Sequence, residues 1–580
     1  MSESHGMRAW FTRFANRWHA RTSTRAKAVT AFVSQPEPRT IGLFARGRQL
    51  VAGNFLFAGK LVEDKENSLF ALRVQNPAFL EEIHGFAWLD DLVAVGDGSA
   101  RTRAQDWTWD WIEQFGRGTG PGWTPELTGR RLIRWINHAI FLLHGREKDQ
   151  SDAFYRSLAQ QTIFLSKRWP ATRPGLPKFE ALTGMIYAGL SLEGMEEHVD
   201  PAVRALAHEC ASQVDDQGGI PTRNPEELLE VFTLLTWAAL ALDEAGRTVP
   251  IPHFAAIERI APTLRSLRHS DGSLARFHGG GKGLEGRLDN ALAQSGVKTR
   301  PSEGLAMGFA RISAGRTSVI IDAAPPPKGR ASFDAHASTL AFELTSGRRP
   351  VISNCGSGAN FGEDWRRAGR ATPSHSTLCL EGYSSARLSS GDGARSEYFS
   401  DVPAHVPVEI SPVPDGIRFQ GGHDGWLKTH GLTHARTLEL TFDGRGMVGE
   451  DLLVCLEDAD RKRFAKVQEN ALEPGVLFQI RFHIHPEVDA ELDMGGAAVS
   501  LALKSGELWV LRSDGTTALT LEPSIYMEKG RLKPRATKQV VLTGRAVDQA
   551  TRVRWSLSKA QDTPISIRDL QMDNVYPETS

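Results

Sequence analysis

The sequence contains little cysteine. Only four cysteines occur among 580 residues, and none stands in a CxxC spacing; they are Cys210, Cys355, Cys379 and Cys455. This spacing argues against a disulfide framework and against a cysteine-based zinc module, and it is compatible with a reducing compartment.

The chain also lacks a long apolar run and an excess of charge of either sign. No segment reaches the roughly 18 apolar residues of a membrane span, and no uninterrupted apolar stretch follows the basic N-terminus as it would in a secretory signal. The formal net charge is −1, so the overall charge gives no indication of nucleic-acid binding. We therefore expect a soluble, cytoplasmic protein without a transmembrane segment, in which local arginines would hold any anionic ligand.

The pattern of apolar residues divides the chain into two halves, as expected for a length that exceeds one hydrophobic core. Between about residues 70 and 267 apolar residues recur at intervals of three and four, which predicts consecutive helices stacked in an arc or toroid. The predicted helices cover 91–115, 124–144, 152–169, 178–192, 201–214 and 225–245. Thr124 followed by Pro125 is a typical helix start.

From about residue 314 short alternating or β-rich segments follow one another, separated by Gly, Pro, Asp and Ser, which predicts an antiparallel sandwich. These segments are 317–322, 340–344, 377–380, 417–420, 437–442, 478–485 and 508–511. We predict a basic N-terminal arm at 1–49, a helical domain at 50–270, a linker at 271–314 and a sandwich at 315–580. The arm carries aromatic residues at helical spacing, and we expect it to dock on the body rather than to form an amphipathic surface helix.

One stretch of the second half carries a specific series of motifs. It runs Phe333-Asp-Ala-His-Ala-Ser-Thr-Leu-Ala-Phe-Glu-Leu344, then Gly347, Asn354-Cys-Gly356 and His375-Ser-Thr377. This series resembles the start of the heparinase II/III C-terminal domain, with its His-x-His-x-Asp, apolar-Phe-Glu-Leu, Asp-x-Gly and His-Asn-Thr pattern. Weaker similarity extends the resemblance to about residues 50–575.

The resemblance implies an (α/α) incomplete toroid followed by an antiparallel β-sandwich. It also implies a polysaccharide lyase that cleaves a uronate-containing acidic glycan, such as a glycosaminoglycan, by β-elimination. That reaction removes a proton α to a carboxylate, so donors or cations must stabilise an enolate-like state and a base must accept the proton.

Asn137 and His138 are the catalytic candidates implied by the resemblance. In related lyases an Asn-His pair in this helix faces the cleft, where the amide holds the uronate carboxylate and the imidazole assists proton transfer. From the residues alone, a hydrogen bond between helices by Asn137 and an exposed His138 are the alternative.

Arg223 and Asn224 are the candidates for substrate binding on the helical half. They lie in a segment, 216–225, that matches the place where active lyases of the family carry a tyrosine, and this segment has none. A guanidinium binds a carboxylate bidentately, so Arg223 suits a carboxylate clamp, but it cannot serve as the base. Tyr187 stands among apolar residues and is expected in the core, which leaves the base unassigned.

His336, Asn354 and His375 occupy the positions at which zinc-containing relatives bind their metal. The resemblance therefore implies a structural zinc ion, although a neutral amide is a weaker ligand than a carboxylate. A hydrogen-bonded His-Asn-His cluster is the alternative. On the strand predicted at 478–485, Arg481 and His483 share the polar face and are further substrate-binding candidates, unless that face is simply solvated.

The sequence thus predicts a lyase whose partner is an acidic oligo- or polysaccharide. A non-catalytic glycan-binding protein on the same fold is the first alternative, because the tyrosine is missing and Asn354 replaces an aspartate. A toroid glycoside hydrolase, which would use paired carboxylates, is the second. Enzymatic activity and a homodimer therefore stay open. The family works mostly in the periplasm or cell envelope, which is the alternative to the expected cytoplasmic location.

Overall fold

A computed structural model describes residues 2–561, except 27–28, 30, 35, 299–303, 390–396 and 472, and except the side chains of 2–9 and 561. The predicted arm, linker and sandwich each include residues outside this part of the chain. Within it, no helix is both long and apolar enough to cross a membrane.

Helices dominate the first half of the chain. They are α1 (Ser2–Ser23), α2 (Phe44–Val51), α3 (Pro77–Gly85), α4 (Trp88–Val95), α5 (Gly98–Phe115), α6 (Pro125–Asn137), α7 (Ala139–Leu143), α8 (Lys148–Arg168), α9 (Leu176–Ser191), α10 (Val199–Gln213), α11 (Pro225–Glu244), α12 (Ile251–Ser266) and α13 (Arg287–Gln294). A hairpin of β1 (Asn54–Phe57) and β2 (Lys60–Glu63) lies among them. The periodicity does not predict this hairpin, because each strand has only four residues.

Two of the predicted helices are each divided in the structure. The helix predicted over 91–115 breaks at Gly96, which has a φ of 69°, and the side chain of Asp97 then caps α5. The helix predicted over 124–144 breaks at His138, whose backbone is not helical. Its predicted start is confirmed, since Thr124 caps α6 and Pro125 opens it.

Three parallel helices, α6, α9 and α11, form the inner layer of the helical domain, and α8, α10 and α12 pack against them. Arg130 and Glu180 form an ion pair near the beginnings of α6 and α9. The two helices touch through their backbones, because a Cβ on Gly129 would lie 2.3 Å from the carbonyl oxygen of Glu180. This arrangement confirms the predicted helical architecture of the first half.

The second half forms a sandwich of two antiparallel sheets with short helices between strands. The strands are β3 (Phe309–Ala314), β4 (Thr317–Asp322), β5 (Phe342–Ser346), β6 (Arg349–Ser353), β7 (Leu378–Leu380), β8 (Arg387–Leu388), β9 (Phe399–Asp401), β10 (Val408–Val413), β11 (Gly416–Trp426), β12 (Leu432–Thr441), β13 (Gly446–Val454), β14 (Val476–Ile484), β15 (Val488–Asp493), β16 (Ala498–Leu503), β17 (Leu508–Ser513), β18 (Ala518–Tyr526), β19 (Arg535–Ala546) and β20 (Ala550–Gln561). The helices are α14 (Glu363–Arg370), α15 (Leu427–His430) and α16 (Asp458–Glu469).

One sheet has the order β10-β11-β12-β13-β20-β17-β16-β15. The other has the order β18-β19-β14-β6-β5-β4-β3, with β7 paired to β14. The two sheets meet through aromatic contacts, since Phe342 of β5 and Phe482 of β14 both pack on Trp555 of β20. The predicted antiparallel sandwich is therefore confirmed.

The N-terminal helix α1 is docked on the helical domain. Arg168 Nε of α8 donates to Asn16 Oδ1 at 2.7 Å, and the rest of this face packs along α8. The outward face carries four aromatic side chains that are each more than half exposed: Trp10, Phe11, Phe14 and Trp18.

Candidate functional site

The beginning of α11 contacts the sandwich through Glu226 and Lys529. The parallel helices α6 and α9 begin beside it, so the ends of all three point away from the sandwich. The residues that precede α11, Arg223 and Asn224, contact the loop at 278–281 and the first strands of the sandwich. The end of α6 lies about 20 Å from its beginning, because each of its 13 residues rises about 1.5 Å. The predicted site residues are therefore divided between two ends of the helical domain.

Arg223 joins the helical domain to the sandwich. All five N–H donors of its guanidinium have protein acceptors at 2.6–3.2 Å. The acceptors are the carbonyl oxygens of Met307, Gly308, Ala324 and Pro325 and one carboxylate oxygen of Asp322. Burial alone would raise the pKa of Asp322, but the charge of Arg223 holds it well below its usual range. Arg223 thus has no donor left for a ligand in this arrangement.

Asn224 and His336 are brought together by the glycine-rich loop at 278–281. Asn224 Oδ1 caps α11 by accepting from the backbone N–H groups of Glu226 and Glu227. A Cβ on Gly280 would lie 2.6 Å from Asn224 Oδ1, so a larger residue there would displace this cap. The neighbouring Gly279 donates its N–H to His336 Nε2 at 3.1 Å. The structure therefore places these two predicted residues on either side of one loop.

Three carboxylates line this junction and are here called the boundary carboxylates: Glu226, Glu227 and Asp334. Glu226 is paired with Lys529 of the sandwich. Burial raises the pKa of Glu227 to about 7; the hydroxyl of Thr222 opposes this rise and the charge of Asp334 adds to it. Asp334 is only partly buried, with 47% of its side chain exposed; this partial burial raises its pKa, and the charges of Arg366 and Arg370 oppose the rise. Two acids with raised pKa values that interact across a domain boundary are typical of a functional site.

The sequence pattern indicates these carboxylates only weakly. Glu226 and Glu227 follow Asn224 and Pro225, so they have the appearance of a solvated helix start. Two signals in the sequence point to them: Glu226 and Glu227 are adjacent carboxylates of the kind that a toroid glycoside hydrolase would use, and Asp334 stands two residues before His336 on the motif that carries the family resemblance.

The histidine cluster predicted to bind metal is buried and neutral. The rings of His336 and His375 lie 4.9 Å apart. Burial lowers the pKa of His375 to about 4 and that of His336 well below its usual value. Asn354 Oδ1 accepts from the N–H of Ser376 at 2.9 Å, and its Nδ2 lies 3.4 Å from Glu343.

This arrangement does not fit a zinc ion. His336 Nε2 accepts from Gly279, so the single lone pair of that neutral ring is in use. The carbonyl oxygen of Asn354 already accepts one hydrogen bond, and as a neutral amide it is a weak zinc ligand. His375 Nε2 has a lone pair and no partner, since its Nδ1 donates to the carbonyl of Ala371. In the described part of the chain, no group of three or more His, Cys, Asp or Glu is arranged to hold a metal. Zinc at these residues stays a prediction from the resemblance.

Asn137 and His138 lie at the end of α6 that points away from the sandwich. His138 Nε2 is 2.8 Å from Asp90 Oδ1 and 3.2 Å from Thr40 Oγ1, and Arg134 also pairs with Asp90. Asn137 is 2% exposed, and both of its amide atoms lack a hydrogen-bond partner among the described residues. The structure does not bring this pair to Arg223 and Asn224, and its catalytic role stays a prediction.

A small cavity of about 70 Å³ lies next to this network, lined by Asp90, Arg134 and Trp237 among others. Burial raises the pKa of the neighbouring Asp91 to about 6, although Arg46 opposes this rise. Four arginines and two aspartates line the cavity, so its lining carries an excess of positive charge. Each arginine also has an acidic partner; the pairs are Arg39–Glu244, Arg46–Asp91, Arg134–Asp90 and Arg287–Glu230.

Arg481 and His483 lie on β14, on the face opposite the sandwich core as predicted. Arg481 binds the side chains of Gln479 and Gln539. His483 is 3% exposed and contacts Ser524 and Cys355. Their roles towards a substrate stay predictions, because both side chains already have protein partners.

Comparison with known proteins gives two matches in sequence. The family model described as "Heparinase II/III-like, C-terminal" matches residues 296–556. FtsZ-localized protein C of Caulobacter vibrioides (strain NA1000 / CB15N) is 31% identical over 534 residues, which cover 89% of this chain and 88% of that relative.

Two solved structures have the same architecture over nearly the whole chain. A crystal structure of heparinase III has a TM-score of 0.66 at 13% identity, and the match covers 93% of this chain and 88% of that one. A heparan sulfate lyase HepC mutant from Pedobacter heparinus has a TM-score of 0.58 at 13% identity, with coverages of 95% and 89%. At such identities the likeness concerns the fold alone.

Proposed function

Because this chain belongs to the heparinase II/III-like proteins, we propose that it binds a glycan at the boundary between its helical domain and its sandwich, and that it does so without β-elimination. The fold is that of polysaccharide lyases, so a saccharide is the ligand class to test first. The sequence motifs alone predict a lyase, whereas the proposal here is a protein that binds a glycan without cleaving it.

The observation that carries this proposal is the saturated guanidinium of Arg223. A uronate clamp needs free donors, and all five donors of Arg223 hold the domain junction together. Releasing them would leave the carboxylate of Asp322 buried without its cation, which is strongly unfavourable. The absence of a tyrosine from residues 216–225 supports the same conclusion, since no base is then available there.

The boundary carboxylates indicate the charge of the ligand. Glu227 and Asp334 would repel the carboxylates and sulfates of an acidic glycan, whereas they can accept hydrogen bonds from hydroxyl, acetamido or ammonium groups. We therefore expect an oligosaccharide of neutral or amino sugars to bind better than a polyanion. This expectation differs from the acidic glycan that the motifs imply.

The test is calorimetric binding of two oligosaccharide panels, one neutral or amino and one uronate-containing. Glu227→Gln and Asp334→Asn should each weaken binding of the neutral panel about tenfold, since a hydrogen bond to a charged group is worth about 1.5–3 kcal/mol. Glu197→Gln is the matched control, because the Glu197 side chain is 79% exposed. Binding that neither boundary variant changes, or no binding of either panel, would refute the proposal.

Lyase activity and hydrolase activity are the alternatives, and both can be assayed in the same mixtures of protein and oligosaccharide. Rising ultraviolet absorbance from a 4,5-unsaturated product would establish β-elimination and exclude a purely binding role. Reducing ends without that absorbance would establish hydrolysis, for which Glu227, with its raised pKa, is the candidate acid.

A second proposal concerns location. A relative that is 31% identical over 89% of this chain is named for its localisation with FtsZ. We propose that this chain also localises with FtsZ. A fluorescent fusion should coincide with labelled FtsZ, and fractionation of the same cells should separate the expected cytoplasmic location from a periplasmic one. A diffuse fusion protein would contradict this proposal without affecting the glycan-binding one.

A further inference from the structure

A second polar site lies on the sandwich, on the outward face of β14. An open pocket of about 300 Å³ is lined by Cys355, Pro373, Ser374, His483 and Ser524, together with Gln539. None of these residues belongs to the boundary between the two domains. The pocket brings together a hydroxyl, a thiol and an imidazole, which are the groups of nucleophilic catalysis.

The hydrogen bonds of His483 define which ring nitrogen carries the proton. His483 Nε2 lies 2.9 Å from the carbonyl oxygen of Pro373, and a carbonyl can only accept, so Nε2 carries the hydrogen. The lone pair is therefore on Nδ1, and the Ser524 hydroxyl donates to it at 2.8 Å. The Ser524 hydroxyl bonds to the imidazole of His483, and the Pro373 carbonyl orients that imidazole. This is the order of groups that activates a serine nucleophile.

Ser524 is better placed than Cys355 to act as the nucleophile. Cys355 Sγ lies 3.5 Å from the same Nδ1, but the residue is only 4% exposed. Ser524 lies near the end of β18, an edge strand, and is partly exposed to the pocket. The Cys355 thiol, 3.9 Å from Ser524 Oγ, is the nearby donor that could face a developing oxyanion.

The geometry points to Ser524 and His483 as an acyl-transfer site for short-chain carboxylic esters, such as O-acylated hydroxyls. Ser524 Oγ adds to the ester carbonyl while its proton passes to His483 Nδ1. The alcohol then leaves with that proton, and an acyl ester stays on Ser524. Water, deprotonated by the same nitrogen, hydrolyses this ester to the carboxylic acid and restores the hydroxyl.

Slow turnover and a trapped intermediate are the expected signature. Burial lowers the pKa of His483 to about 3, which keeps the ring neutral but makes it a weak base. Covalent labelling of Ser524 is consequently a more sensitive readout than the rate of ester hydrolysis.

The experiment treats the full chain with a fluorophosphonate probe and, separately, with p-nitrophenyl acetate, and locates the adduct by peptide mass spectrometry. We expect one adduct on Ser524 in the wild type and in Cys355→Ala, and none in Ser524→Ala. Thr520→Ala is the matched control on the same strand. The Thr520 hydroxyl is exposed and bonds to Glu522 of the same strand and to the carbonyl of Val541 on β19, so it has no part in the pocket. Circular dichroism of Ser524→Ala separates a lost nucleophile from a lost fold.

An unlabelled wild type, or an adduct on Cys355 or on any residue other than Ser524, would overturn the proposal. Glycan binding at the domain boundary would be unaffected by either result, since the two sites share no residue.

Discussion

Arg223 and Asp322 form a buried ion pair across the junction between the helical domain and the sandwich, with Nη2 of Arg223 2.6 Å from Oδ1 of Asp322. The other carboxylate oxygen accepts from the hydroxyl of Ser338 at 2.6 Å and lies 3.4 Å from His278. The pair therefore ties α11 to the end of β4 and to the motif around His336.

Asp322→Asn should destabilise the protein by about 3–5 kcal/mol, because it leaves the Arg223 charge buried without its counter-ion. Urea unfolding measures the change. Arg247→Gln is the matched control, since its pair with Asp200 is exposed on both sides and should contribute less than about 1 kcal/mol. Equal effects of the two variants would contradict a structural role for the junction pair.

Glu227→Gln should stabilise the protein at pH 8 but not at pH 4. The folded-state pKa of Glu227 is raised to about 7, so the folded protein binds a proton more tightly than the unfolded chain does. Its stability therefore falls as pH rises from the unfolded pKa, about 4.3, through 7. The glutamine removes this loss, which is a gain of about 3–4 kcal/mol at pH 8, since the pKa is raised by nearly three and each pKa unit is worth about 1.4 kcal/mol. Unfolding curves at both pH values check the sign, and a gain at pH 4 alone would contradict it.

Gly129→Ala should cost about 3 kcal/mol, because its Cβ would meet the backbone of α9, which cannot move aside as a side chain can. Gly98→Ala, in the first turn of α5, has no atom within 4 Å of its Cβ and should leave stability unchanged or slightly higher. Thermal unfolding of the two variants provides the measurement. A neutral Gly129→Ala would mean that the inner helices are less closely packed than described.

Asn137→Leu separates a structural role from a ligand-binding one. The amide is buried without a partner, and replacing an unsatisfied polar group by an apolar one of similar shape should stabilise the protein by about 1 kcal/mol. If Asn137 serves a ligand as the resemblance implies, the same variant should also abolish glycan binding or turnover. A destabilised Asn137→Leu would reveal a hydrogen bond that the described residues do not account for.

Metal analysis decides between the two expectations for His336 and His375. The family resemblance predicts about one zinc per chain, whereas the hydrogen bonds made by His336 and Asn354 predict much less than one. Elemental analysis of protein purified without chelators gives the content. A melting temperature that falls on addition of EDTA would support the resemblance, and an unchanged one would support the hydrogen-bonded cluster.

The sequence predicts local features well and long-range ones poorly in this chain. The helical and alternating periodicities are properties of consecutive residues, and so are the cap at Thr124 and the strand at 317–322; these predictions are confirmed. The partners of Arg223 lie 84 to 102 residues further along the chain, and no periodicity points to them. For the same reason the interaction of Glu227 with Asp334 could not be predicted, since it depends on how the loop at 278–281 brings the two domains together.

The parallel direction of α6, α9 and α11 gives the helical domain a polarity that its side chains do not reveal. Each helix carries roughly half a positive charge at its beginning and half a negative charge at its end, and the three beginnings all point to the sandwich. The domain boundary therefore lies in the combined field of three aligned dipoles, which partly offsets the boundary carboxylates. An uncharged ligand with oxygen-rich polar groups can use both features, with its lone pairs directed to the helix beginnings and its hydrogens to the carboxylates.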